Sequence, residues 1–223
     1  MKKLGLITIG QSPRIDVVPE IRQIIGHGIE VMEGGALDGL TLDEVRKLYP
    51  EPGDYVLITR MKDGTQVKIA EKHILARMQD RVTELVDRGA DLIGLLCTGE
   101  FPPFKCDKLI VKPQTVLAGV VAAVVPGLRL AVFTPDADQV PQAAARWSAQ
   151  TQASAVHVEP ASPYGAADAL TAAARNVKAW SPDIVVMDCM GYTLGMKAEV
   201  AEITGKPVIL ARSIFARVMA ELL

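Results

Sequence analysis

The 223-residue chain has little of what marks many chemistries: 4% of it is aromatic, and it holds three cysteines, three histidines and a formal net charge of −2. With neither a basic block nor an interleaved aromatic stripe, nucleic acid is not favoured as a partner. An odd, small number of cysteines argues against a disulfide framework and leaves burial, catalysis or metal binding for the thiols. No Cys-x-x-Cys occurs and His27, His73 and His157 stand singly, so the spacing of a structural zinc site is missing and no metal is expected. Gly-x-Gly-x-x-Gly, phosphate-loop and Gly-x-Ser-x-Gly motifs are also missing, which disfavours nucleotide binding and serine hydrolysis. The longest apolar run, 116–125, is interrupted by Gly119 and stopped by Pro126, well short of a membrane span. The apolar stretch from Leu4 to Ile9 is too short for the core of a signal peptide, so a cytoplasmic location without membrane contact is expected.

What the chain does have is a repeat. Asp91-Leu-Ile-Gly-Leu-Leu-Cys97-Thr-Gly99 aligns residue for residue with Asp183-Ile-Val-Val-Met-Asp-Cys189-Met-Gly191. Each copy is an acidic start, a mostly apolar run and Cys-x-Gly. Bounded apolar runs of this kind read as buried parallel strands, with the cysteine at the carboxyl end. In open α/β sheets that end is where ligands bind.

Strand and helix patterns alternate on either side of the repeat. Apolar strands are expected at Leu4–Ile9, Ile29–Glu33 and Tyr55–Thr59, with Asp63-Gly64 turning into a hairpin strand at Gln66–Ala70. Helices are expected at Val17–Ile25, near Leu42–Leu48 behind a Thr41/Glu44 capping box, and at Lys72–Asp87. A loop Glu100–Lys108, a short strand Leu109–Val111 and a helix Thr115–Val124 lead to a restart at the strand Arg129–Phe133. The second half continues with a helix Pro141–Ala149, a strand Ala155–Val158, a helix Ala166–Ala179, the second cysteine strand, a strand Pro207–Leu210 and a closing helix Ser213–Leu223. The fold class is therefore α/β, with two pseudo-symmetric domains, each a parallel sheet flanked by helices, and a cleft between them. The expected division is 1–111 with 211–223 for the first domain and 112–210 for the second.

Cys97 and Cys189 are the leading candidates for chemistry. A thiol at a strand end that feeds a glycine turn into a helix meets backbone N–H donors and the helix dipole, which favour thiolate. Two such thiols on opposite faces of one carbon would remove a proton from one side and return it from the other, titrating as a coupled pair. The competing reading is a pair of small buried hydrophobes, a common fate of cysteine. Asp188 would discourage thiolate at Cys189, but strand alternation turns it to the opposite face. Cys106 has no partner in the second half and reads as incidental.

The first loop, Thr8-Ile9-Gly10-Gln11-Ser12-Pro13-Arg14, is built to hold a carboxylate or phosphate through amides and hydroxyls, while Ser12 also suits an N-cap with Pro13 at the first helical position. Thr134-Pro135-Asp136 is its second-half counterpart. Arg60 and Arg212 each follow a strand and would suit a bidentate carboxylate clamp, although exposed arginines are common. Thr98, Gly99, Met190, Gly191 and Tyr192 flank the thiols and complete the candidate substrate-binding set.

Thr8-Ile9-Gly10-Gln11-Ser12-Pro13-Arg14, taken with Met187-Asp188-Cys189-Met190-Gly191-Tyr192, resembles the AroM family over essentially the whole chain. AroM proteins are similar to the aspartate/glutamate racemase superfamily, which includes hydantoin racemases, maleate isomerases and arylmalonate decarboxylases. The resemblance implies two α/β domains with the site in the cleft between them. It also implies no cofactor, and one or two cysteines acting as proton donor and acceptor or as nucleophile. It carries Cys97-Thr98 onto the first catalytic cysteine and its threonine, and Cys189 onto the second. Gly10-Gln11-Ser12 falls on the first substrate-binding loop, and Thr134 on its counterpart. Met190 stands where many racemases have threonine, and Gln11-Ser12 where Asp-Ser is usual, a departure from the pattern behind amino-acid ammonium contacts. The expected function is a cofactor-independent racemase, isomerase or lyase of a small-molecule carboxylate. The alternative is a non-catalytic carboxylate-binding protein with a regulatory role. A homodimer is compatible with this kind of fold.

Overall fold

Two parallel four-stranded sheets of the same strand order organise the chain. The computed structural model describes residues 1–166 and 168–223 in full and residue 167 in its backbone. The chain divides into two units, Met1–Pro113 with Ala216–Leu223, and Gln114–Phe215.

In the first unit β1 (Lys2–Thr8), α1 (Val18–Ile25), β2 (Ile29–Gly35), α2 (Leu42–Arg46), β3 (Val56–Arg60), β4 (Gln66–Ala70), α3 (Leu75–Asp87), β5 (Leu92–Leu95) and β6 (Ile110–Val111) follow one another. The sheet runs β2-β1-β5-β6, all parallel, and β3-β4 form a separate antiparallel hairpin. α4 (Pro113–Val124) opens the second unit, followed by β7 (Arg129–Thr134), α5 (Val140–Gln150), β8 (Ala155–Pro160), α6 (Ala167–Trp180), β9 (Ile184–Met187), α7 (Leu194–Thr204) and β10 (Val208–Leu210). α8 (Ala211–Leu222) starts in the second unit and ends in the first. The second sheet, read β8-β7-β9-β10, repeats the order of the first strand for strand, and its pairs are again parallel.

The strands β5 and β9 are buried along their whole length because helices cover both faces of such sheets, which is why they lack polar alternation. In the first unit Ile7, Ile93 and Leu95 pack with Met78, Val82 and Leu85 of α3. In the second, Phe133, Val185 and Met187 pack with Ala174 and Val177 of α6. Each fully buried side chain of the larger kind contributes about 1.5–3 kcal/mol relative to exposure.

The acidic start of each repeat has a structural reason. The Asp91 carboxylate accepts the Lys3 amide at 2.8 Å while its own amide donates to the Lys3 carbonyl at 2.8 Å. Asp183 does the same with Arg129, at 2.8 and 2.9 Å. These stitches set the register between β1 and β5 in the first unit and between β7 and β9 in the second. The Lys3 amide also holds the Asp91 carboxyl below the usual carboxylate range.

Three local expectations change. α1 begins at Val18 with a proline in its first turn, not behind a Ser12 cap, because the Ser12 amide and hydroxyl are both bonded to Asp38. α3 begins at Leu75, since Ala70 and Glu71 donate to the Leu48 and Tyr55 carbonyls and hold residues 71–73 in a single 3-10 turn. α8 takes in Arg212 and Ser213, which lie in its first turn directly after β10. The Thr41/Glu44 capping box forms as expected.

Candidate functional site

Both cysteines stand at the carboxyl end of the third strand of their sheet and make the same local turn. Leu96 N donates to Ile7 O at 2.7 Å, and Asp188 N donates to Phe133 O at 3.0 Å, so each chain leaves the sheet at the same step. Gly99 N then donates to Cys97 Sγ at 3.3 Å, and Gly191 N donates to Cys189 Sγ at 3.3 Å. Both cysteines are half-buried, whereas Thr98, Gly99, Met190 and Gly191 are buried. Each half-buried cysteine thus has an N–H aimed at its sulfur, a contact that favours a negative sulfur.

Beyond the turns the two thiols differ. After Cys189 the chain enters α7, whose N-cap Thr193 accepts Met196 N at 3.1 Å, so a helix N-terminus with its partial positive charge follows directly. After Cys97 residues 100–106 run without regular structure, and Lys112 Nζ pins them by donating to the Phe101 and Pro102 carbonyls at 2.8 and 3.0 Å. The strand-turn-helix setting expected for both thiols belongs to Cys189 alone.

The first loop is held from three sides. Gln11 Nε2 donates to the Leu37 and Leu40 carbonyls at 3.2 and 2.9 Å, and its Oε1 accepts Lys62 N at 2.8 Å. Ser12 donates to Asp38 through its amide at 2.7 Å and its hydroxyl at 2.6 Å, and Gly35 N donates to the same carboxylate at 2.7 Å. Thr8 Oγ1 accepts Gly10 N at 3.1 Å and Arg14 Nη1 at 2.9 Å. Gly10 lies so close to Thr59 Oγ1 and the Arg60 carbonyl that any Cβ there would collide with them. The side chains of Gln11 and Ser12 are therefore bonded to the protein's own frame.

Arg14 is buried and forks onto Asp16, with Nε and Nη2 each 2.9 Å from a carboxylate oxygen. Burial opposes ionisation of Asp16, but the Arg14 hydrogen bond and charge outweigh it, with help from its own backbone and Arg60, and hold the carboxyl below its ordinary range. Arg60 donates to the Gly64 carbonyl at 2.9 Å and lines a cavity of about 180 Å³ together with Arg14, Asp16, Lys62 and Asp63.

In the second unit Arg212 is fully buried, and its guanidinium donates to the Met190 and Gly191 carbonyls at 2.9 and 3.1 Å. It holds the cysteine turn rather than presenting an exposed fork. Tyr192 is also fully buried and donates to Ala161 O at 2.6 Å. Burial, with the nearby Cys189, Asp188 and Tyr164 adding to it, pushes its phenol well above the ordinary tyrosine value. Asp188 does turn to the opposite face, where it accepts Trp147 Nε1 at 2.8 Å and pairs with Arg146. Thr134 is buried with its hydroxyl 3.3 Å from Gln139 Oε1.

Asp38, Arg146 and Tyr164 escape the sequence reading. Their partners lie far along the chain: Asp38 binds a loop 26 residues upstream, and Arg146 binds Asp188 42 residues on. The Asp38-Gly39 step was the one local hint of a structured turn.

The AroM protein family model matches residues 4–223. The chain belongs to the AroM family. No curated protein matches this AroM chain in sequence. Solved structures of the same fold include the Picrophilus torridus aspartate racemase, 13% identical, covering 100% of this chain and 94% of that one at a TM-score of 0.63. The Nocardia farcinica maleate cis-trans isomerase bound to TRIS is 14% identical, covering 99% and 92% at 0.64. An arylmalonate decarboxylase is 16% identical, covering 99% and 91% at 0.58. At such identities the likeness concerns the fold, and it accords with the two parallel sheets described above.

Proposed function

We propose that this AroM protein is a cofactor-independent racemase, isomerase or lyase of a small carboxylate, with Cys97 and Cys189 as its general acid/base pair. The observation that carries the reading is the duplicated turn, in which each half-buried sulfur accepts the amide of the glycine two residues on at 3.3 Å. Cys106, outside the repeat, also accepts the amide two residues on, from Lys108 at 3.3 Å, so what supports the pair is the recurrence of the turn at the same place in two sheets and not the contact alone. The three neighbours named above are named for action on aspartate, maleate and an arylmalonate, all carboxylates.

In a two-base reaction the thiolate takes the proton from the carbon next to the carboxylate, and the electron pair stays on that carbon as a carbanion. The second thiol then gives its proton to the opposite face and becomes the thiolate. In a decarboxylation the C–C bond breaks instead, carbon dioxide leaves, and a single thiol protonates the carbanion. Thr8, Gly10, Thr98 and Thr134 lie at the carboxyl ends of β1, β5 and β7, where the carboxylate would be held.

The test is incorporation of solvent deuterium into candidate carboxylates, followed by NMR. Cys97→Ala and Cys189→Ala should each lower exchange by about 10²–10⁴-fold if both thiols act. Loss in only one variant identifies one-thiol chemistry. Exchange at the wild-type rate in both variants refutes the reading.

A further inference from the structure

We propose that the Tyr164 hydroxyl is a ligand-binding donor beside Cys189, one that hydrogen-bonds a carboxylate oxygen of the bound acid. The assignment rests on the carboxylate reading above and adds a residue that neither the family motif nor the repeat marks.

The geometry starts from Gly191. A Cβ built on this glycine would come within 2.5 Å of the Tyr164 hydroxyl oxygen and 2.7 Å of Pro163 Cγ, so only glycine lets the phenol lie against the cysteine turn. The same glycine donates its amide to Cys189 Sγ. The phenol oxygen therefore sits on the residue whose N–H faces the thiol.

The surroundings fix the ring there. Tyr192 donates to Ala161 O at 2.6 Å, and Tyr164 N donates to Ser162 Oγ at 3.1 Å, so the loop after β8 is fastened to the cysteine turn. Arg212 holds the other side of the turn through the Met190 and Gly191 carbonyls. Of the polar side chains around it, Arg212, Tyr192 and Asp188 are buried, whereas Tyr164 is partly exposed. A partly exposed tyrosine fastened against the cysteine turn is suited to a fixed hydrogen bond with a carboxylate.

The first unit supplies the control. At Gly99, the matched glycine, a Cβ would meet Leu57 Cδ2 at 2.8 Å and the Phe101 ring at 3.2 Å, all carbon. The hydroxyl is thus particular to the Cys189 turn, which distinguishes two turns that are otherwise alike.

The experiment measures iodoacetamide alkylation of Cys189 in the full-length protein by peptide mass spectrometry, with acetate, malonate and succinate as protecting probes. A probe is expected to slow alkylation of the wild type. Tyr164→Phe should then need about 10- to 100-fold more of it, as befits one lost hydrogen bond to a charged acceptor. Gly191→Ala keeps the tyrosine but displaces its hydroxyl, and should weaken protection likewise even where Tyr164→Phe folds poorly. Tryptophan fluorescence checks the fold of both variants. Unchanged protection in both variants overturns the Tyr164 assignment and leaves the carboxylate reading standing. If no probe protects the wild type, the carboxylate reading itself falls and takes this assignment with it.

Discussion

Replacing Asp188 by leucine gives the second half the residue that the first half carries at the matched position, Leu96. In the native protein Asp188 is 4% exposed, pairs with Arg146 and accepts Trp147 Nε1 at 2.8 Å. Removing one partner of a buried ion pair costs about 3–5 kcal/mol, because the remaining charge stays buried. Taking the acceptor from the buried indole N–H adds roughly 1–3 kcal/mol. Asp188→Leu should therefore lose about 4–8 kcal/mol, a large part of a typical total of about 5–15. The double variant Asp188→Leu/Arg146→Met replaces the pair by apolar groups and keeps only the indole loss, about 1–3 kcal/mol. The two tryptophans of the chain, Trp147 and Trp180, both lie in the second unit, so urea unfolding followed by tryptophan fluorescence reads that unit directly. The single variant should unfold at a much lower urea midpoint, and the second substitution should restore most of the difference. A single variant within about 1 kcal/mol of wild type, or a double variant no more stable than the single, would refute a net-costly buried charge.

Two further outcomes follow from the first unit. Asp38→Ala removes the acceptor of three hydrogen bonds from Ser12 and Gly35, at a cost of about 2–4 kcal/mol in this partly buried setting. Hydrogen exchange of the Gly10–Arg14 amides should speed up, and unchanged protection would show that the carboxylate does not hold the loop. Asp16, whose carboxyl is held below its ordinary range, stabilises the fold above its unfolded value of about 3.9, and that contribution drains away as pH falls through the folded value. Asp16→Asn should lower the thermal midpoint at neutral pH, with the gap to wild type closing in acid; a gap independent of pH contradicts this origin.

The strands were legible because burial on both faces leaves continuous apolar runs such as Leu92–Leu95 and Ile184–Met187. The hairpin was legible through Asp63-Gly64, and Gly64 indeed takes positive φ. The helix α7 had no clear signature, because the apolar Leu194 and Ala198 are exposed on the side opposite Met196, Val200 and Ile203 and blunt the contrast between its faces. The cysteines announced themselves through duplication. Asp38 and Tyr164 did not, since their roles arise from partners in other loops. Ser12 shows how a local rule loses: its hydroxyl suits a helix cap, but a carboxylate 26 residues away forms two bonds to it at 2.6 and 2.7 Å.

The β3-β4 hairpin has no counterpart in the second unit among the described residues. Its Arg60 carbonyl accepts Gln11 N at 3.1 Å, and its Lys62 amide binds the Gln11 side chain. A change at Gln11 must satisfy the hairpin, the Leu37–Leu40 loop and the strand end at once. At the equivalent place in the second half, Asp136 accepts Asp138 N at 3.0 Å within the short turn that follows. A single substitution in the first loop therefore disturbs three segments of the chain together.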